Sequence, residues 1–141
     1  MAMPHRIDRR TPEVDLAVSP DFARQAFRIL QVAFVLAPVI AGVDKFFHLL
    51  VNWDQYLAPA IANALPVAPH TFMLAVGVIE IVAGIVVALK PYYGGYLVTL
   101  WLWGIIANLL IAGSYFDVAL RDFGLSLGAT ALARLSRRYQ P

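Results

Sequence analysis

Four long apolar stretches of this 141-residue chain are interrupted by side chains that could do chemistry: Asp44 and Lys45 near the end of the first, Glu80 in the second, Asn108 in the third, and Asp117, Arg121 and Asp122 in the fourth. A charge at bilayer depth costs about 2.5–3.5 kcal/mol on insertion scales, so such residues persist where they are paired inside a bundle or serve a ligand. For Asp44, Lys45, Arg121 and Asp122 two readings stand together: an ion-pair cluster that sets helix register, and a ligand site. Glu80 follows His70 by ten residues, which at 1.5 Å per residue puts it roughly 15 Å deep, near the middle of a hydrocarbon core about 30 Å thick. Its carboxyl is expected to be ionised there only if Lys45 or Arg121 reaches it. A midplane acid can relay a proton or hydrogen-bond a quinone carbonyl; bonded instead to Asn108 or a backbone carbonyl it would serve packing. His48 and His70 lack the motif context of a haem or metal pair and are expected at the membrane interface, with no metal site.

The elements that must position these residues follow from the apolar pattern. A hydrophobic fraction of 60% and a mean hydropathy of +0.69 exceed the roughly 45–50% apolar usage of soluble domains. Spans are expected over residues 22–50, 71–89, 96–112 and 116–135, with Asp21 capping the first and Pro38 kinking it. The fourth is the least apolar and needs the others in order to insert. Residues 1–20 read as a mobile tail and 136–141 as a second one, leaving 21–135 as a single transmembrane domain. Between the first two spans, VNWDQYLAPAIANALPVAP is too rich in proline to cross. Trp53 and Tyr56 should hold it in the interface, where aromatic rings with one polar edge are favoured.

The absence of cysteine excludes disulfides, thiolate nucleophiles and cysteine-ligated clusters. A net charge of +2 comes from eleven Lys and Arg residues spread over loops and tails, without the basic stripe that nucleic-acid binding requires. Arg6, Arg9, Arg10, Arg24, Arg28, Lys90, Arg134, Arg137 and Arg138 fall on one side of the expected spans and only Lys45 and Arg121 near the other. Both termini are therefore expected in the cytoplasm of a bacterial-type inner membrane.

Helical spacing aligns Ala33, Ala37, Ala41, Asp44 and His48 in the first span and Met73, Gly77, Glu80 and Gly84 in the second. In the third it aligns Trp101, Gly104, Asn108 and Ala112, and in the fourth Asp117, Arg121, Gly124 and Gly128, the last two forming a GxxxG. Small residues admit close helix approach and polar ones bond across the gap, so these stripes are expected to face one another in an all-α four-helix bundle.

GVDKFF at the end of the first span, GVIEIVAG in the second and RDFGLSLGA in the fourth make the chain resemble the DoxX-like membrane proteins over about Phe27 to Leu135. The resemblance implies a small four-helix inner-membrane protein with Lys45, Glu80 and Asp122 as its polar positions. It also implies a partner in a membrane redox complex or a subunit of the thiosulfate:quinone oxidoreductase kind. The function expected is an accessory subunit of a redox or respiratory assembly, without catalysis of its own. It would hold no intrinsic cofactor, touch quinone at the polar cluster, and contact lipid together with other membrane subunits or further copies of itself. The alternatives are a small thiosulfate:quinone-type enzyme subunit and an oligomeric channel or transporter, which the absence of internal repeats disfavours.

Overall fold

The computed structural model describes Ala2 and residues 20–140. The expected amino-terminal tail, the side chain of Asp21 and Pro141 lie outside the described residues. The described residues form five α-helices: α1 (Pro20–Phe47), α2 (Pro59–Ala64), α3 (Pro69–Leu89), α4 (Pro91–Ala112) and α5 (Phe116–Tyr139), with a 3-10 turn at Trp53–Tyr56. No strand occurs among the described residues. Among the described residues three stretches are long and apolar enough to cross a membrane, Phe22–Phe47, Pro69–Leu89 and Pro91–Ala112. The chain is thus an all-helical protein with a multi-pass membrane character. With its acidic and basic residues α5 does not reach the same apolarity, although its 24 residues are long enough.

Proline sets most of the boundaries. Pro59, Pro69 and Pro91 occupy the first turn of α2, α3 and α4, where the missing N–H costs nothing and the fixed φ suits a helix start. Two of the prolines that bar the 51–69 segment from crossing therefore begin helices, Pro59 within it and Pro69 at its end, and α4 starts five residues earlier than the apolar pattern suggests. Lys90 alone separates α3 from α4. Gly113 closes α4 at φ 67°, its N–H reaching Leu109 O and Leu110 O. α1 runs through Pro38 without interruption but stops at Phe47, because His48 turns into the left-handed region at φ 52° and the next amides find another acceptor.

α1 packs on α3 and α4 on α5, and the two pairs join through α3–α4 and α1–α5 contacts. Phe27, Phe34, Ala83, Val87, Val98, Ala129 and Leu132 form the main core, and Ile106, Leu109 and Ala119 a smaller one beneath Tyr56. The α1–α3 crossing is close enough that a Cβ on Gly77 would lie 2.7 Å from the Gly42 carbonyl oxygen, and one on Gly42 would lie 2.5 Å from that of Gly77. Only glycine permits two backbones to meet in this way.

Of the four expected stripes, that of α3 is buried as read: Met73, Gly77, Glu80 and Gly84 all face inward. The others hold only in part: Asp44 of the α1 stripe is buried and Trp101 and Asn108 of the α4 stripe bond inward, while the small residues beside them do not line the contacts. α1 turns Phe27, Gln31, Phe34, Gly42 and Lys45 inward and leaves Ala33 and Ala37 exposed, because bulky Phe27 and Phe34 bury more apolar surface than alanines can. Gly104 and Gly124 face open space, so the GxxxG of α5 is no intramolecular contact; Gly128 alone meets the Phe34 ring. The outer faces carry large apolar side chains such as Ile29, Leu36, Val82, Leu100 and Leu120, as lipid contact requires.

Arg24, Arg28, Arg137 and Arg138 gather at one end. Arg137 lies over the Tyr92 ring at 4.9 Å and Arg24 over Tyr139 at 5.8 Å, and Tyr139 stacks on Phe27. Beside them the Gln31 amide donates to Val87 O and Ala88 O, joining α1 to the last turn of α3.

Candidate functional site

The glycine crossing dictates where the ionisable residues meet. Gly42 lies opposite Gly77, and Gly84 against Val35 and Val39, so α1 and α3 run antiparallel and the Lys45 stem lies beside Gly77. Glu80 is one turn further along α3, toward the start of α1, within reach of four methylenes. The Lys45 ammonium meets Glu80 Oε2 at 2.6 Å, and the two side chains are 3% and 8% exposed. Of the two cations that could reach Glu80, Lys45 is the one that does. The pair is sealed by two tryptophans: Lys45 Nζ lies 3.8 Å from the Trp53 ring centroid, a favourable cation–π position, and Trp101 Nε1 of α4 donates to Glu80 Oε1 at 3.5 Å. Asp122 is buried on α5.

Asp44 has a different task. Its carboxylate accepts from Leu49 N at 2.9 Å, Leu50 N at 3.1 Å and Trp53 Nε1 at 2.8 Å. It thereby takes up amides freed when α1 stops at Phe47 and aims the indole at Lys45. Asn108 does not reach Glu80 either. Its Oδ1 accepts from Ala58 N at 2.9 Å and its Nδ2 donates to Tyr56 O at 2.7 Å, pinning the segment between α1 and α3 onto α4. Tyr56 packs edge-on against Tyr115 at 4.8 Å. Leu57 and Ala58 are buried, so this segment covers the interior rather than lying loosely over it.

The four-residue cluster of Asp44, Lys45, Arg121 and Asp122 is thus divided. Lys45 joins Glu80, Asp44 caps the end of α1, and Arg121 reaches Asp122 at 3.3 Å from outside, its side chain 64% exposed. The reason is helical phase: Lys45 and Asp44 are adjacent and cannot point the same way, and Arg121 precedes the inward-facing Asp122 by one position. Trp53 becomes a site residue through its contacts with Asp44 and Lys45, which no sequence spacing signals. Trp101 was visible on the same α4 stripe as Asn108. His48 and His70 stack with ring centroids 5.5 Å apart, and Asp54 joins them, 3.0 Å from His70 Nδ1.

The arrangement has a definite chemical capacity. A carboxylate and an ammonium in direct contact can pass a proton between them, and an indole N–H and ring fix both in place. No family model, curated protein or solved structure matches the chain.

Proposed function

We propose that this protein is an accessory subunit of a membrane redox or respiratory assembly in a bacterial-type inner membrane, with Lys45 and Glu80 handling a proton or hydrogen-bonding a quinone head group. The observation that carries this reading is the buried 2.6 Å ion pair between two membrane-capable helices. Glycines already bring α1 and α3 together, and a buried ion pair is a weak source of stability, because the desolvation of both charges offsets their attraction. Its retention at that depth favours a role in handling charge. In this reading α5 is the fourth span of a four-helix bundle. Burial of Ala119, Asp122, Ser126, Ala129 and Leu132 supports it by hiding one polar face, while Arg121 can extend its guanidinium toward the headgroups. Lys45, Glu80 and Asp122, the polar positions that the DoxX-like resemblance implies, are all buried. The redox cofactor belongs to a partner subunit.

Extraction in mild detergent, followed by mass and absorption spectra of the intact assembly, tests the subunit reading. The expected species is heavier than a simple multiple of the 15.5 kDa chain and carries a partner with a redox chromophore. A homo-oligomer with no partner and no chromophore would overturn it.

Orientation is tested separately, and the lack of native cysteine gives a clean background. Cysteines placed at Thr11 and Gln140 should resist an impermeant thiol reagent in intact cells while one at Asn63 reacts, since the basic residues belong on the cytoplasmic side. Labelling of either terminal position from outside would reverse the topology.

A further inference from the structure

We propose that His48, Asp54 and His70 form a binding site for a divalent metal ion of the zinc class, at the end of the molecule opposite the arginine group of Arg24, Arg28, Arg137 and Arg138. They come from three elements: the residue after α1, the 3-10 turn and the first turn of α3. One ligand atom from each lies within 4.8 Å of the others, and a shallow depression lined by His48, Asn52, Asp54 and His70 opens the site to water. Two features point to a cation. Asp54 Oδ2 meets His70 Nδ1 at 3.0 Å, but Asp54 Oδ1 is buried without a hydrogen-bond partner among the described residues. A buried carboxylate oxygen left this way is costly, and a metal ion would satisfy it. The two imidazoles lie nearly parallel, 27° between planes, with His48 in a left-handed backbone conformation (φ 52°) that is uncommon for a residue other than glycine. The Asn52 side chain accepts from Asp54 N at 3.2 Å and holds the carboxylate in the turn. Lys45, the nearest cation along the chain, is turned away into the pair with Glu80.

Two imidazole nitrogens and one carboxylate oxygen suit zinc rather than calcium or magnesium, which take mostly oxygen ligands. Bonds of roughly 2.0–2.2 Å in a tetrahedral site set ligand atoms about 3.4 Å apart. The candidate ligand atoms lie within 4.8 Å of one another, and the hydrogen bond from His70 to Asp54 Oδ2 leaves Oδ1 as the oxygen free to ligate. The wider separations close by rotation of the His70 side chain, which is 54% exposed, and water fills the fourth position. Bound metal would tie the end of α1 to the start of α3 and hold the turn carrying Trp53 over the Lys45–Glu80 pair.

The test is a zinc titration of the full chain in mild detergent, with any co-purifying subunits, against a chromophoric chelator. One zinc per chain is expected above the background of a His48→Asn/His70→Ala double variant, in which asparagine tolerates the left-handed backbone. Loss of an outer-sphere partner alone costs roughly 10–100-fold in metal affinity, so removing a ligand in His70→Ala or Asp54→Asn should weaken binding at least as much. Zinc should also raise the melting temperature of the wild type and not of the double variant. Equal zinc binding by wild type and double variant, no melting shift in the wild type, or displacement of zinc by equimolar calcium or magnesium would each overturn the proposal.

Discussion

Glu80→Gln destabilises the detergent-solubilised protein by about 3–5 kcal/mol, the cost of leaving a buried charge without its partner. The amide keeps the shape of the side chain and can still accept from Trp101, but it cannot neutralise Lys45, whose ammonium is buried between α1, α3 and Trp53. Lys45→Met has an effect of the same kind, stranding the carboxylate. The double variant Lys45→Met/Glu80→Leu recovers most of the loss, because replacing a buried pair by apolar side chains of similar volume is often neutral or stabilising. Thermal or denaturant unfolding of the three variants measures these effects. If both single variants melt with the wild type, the pair is not buried as described. The double variant also separates architecture from chemistry. Under the proposed function, once the variant has been shown to assemble at normal level, the quinone-linked turnover of the host assembly should fall, since the titrating groups are gone while the fold remains. Full turnover in that stable variant would end the functional reading of Lys45 and Glu80.

The second large effect lies at the glycine crossing. Gly42→Leu and Gly77→Leu each place side-chain carbon against the backbone of the opposing helix, where even a Cβ would sit 2.5–2.7 Å from a carbonyl oxygen. Backbone cannot rotate out of the way as a side chain can, so α1 and α3 must separate, and the cost should reach or exceed the upper end of the ~1–3 kcal/mol typical of overpacking. Separation also lengthens the Lys45–Glu80 contact, so these variants should lose stability and any proton or quinone function together. Gly124→Leu provides the contrast. Its Cβ meets nothing within 4 Å, and the isolated chain should melt unchanged. Equal destabilisation by Gly124→Leu and Gly77→Leu would show that the α5 face, and not the α1–α3 crossing, is the tight contact.

Membrane character, the all-helical class and the inward face of α3 were legible in the residues themselves. Apolar run length and periodicity 3.6 are local properties, and bilayer thickness converts them directly into elements. Even Glu80 was legible as a functional candidate, because the cost of a carboxyl at its depth depends on position along a single helix. The inward faces of α1, α4 and α5 were legible only at single polar or aromatic positions such as Asp44, Trp101 and Asn108, since in a chain that is apolar nearly all round the small residues and the bulky aromatics compete for the interior. Volume decides that competition: Phe27 and Phe34 fill space that Ala33 and Ala37 would leave open.

Partner choice among the polar residues belonged wholly to the tertiary structure. Asp44, Lys45, Arg121 and Asp122 could pair in several ways on paper, and the result turns on which helices cross at glycine. Because Gly42 meets Gly77, Lys45 is delivered to Glu80. Because α1 then ends at Phe47, Asp44 is left to bind the freed amides and Trp53. His48, Asp54 and His70 met for the same reason, brought together by a chain reversal over the shortened α1. The sequence by itself determined that these side chains would be costly to bury; only the packing of helix on helix decided which of them would share that cost, because electrostatic partnership is set by distances of a few ångströms that no spacing along the chain encodes.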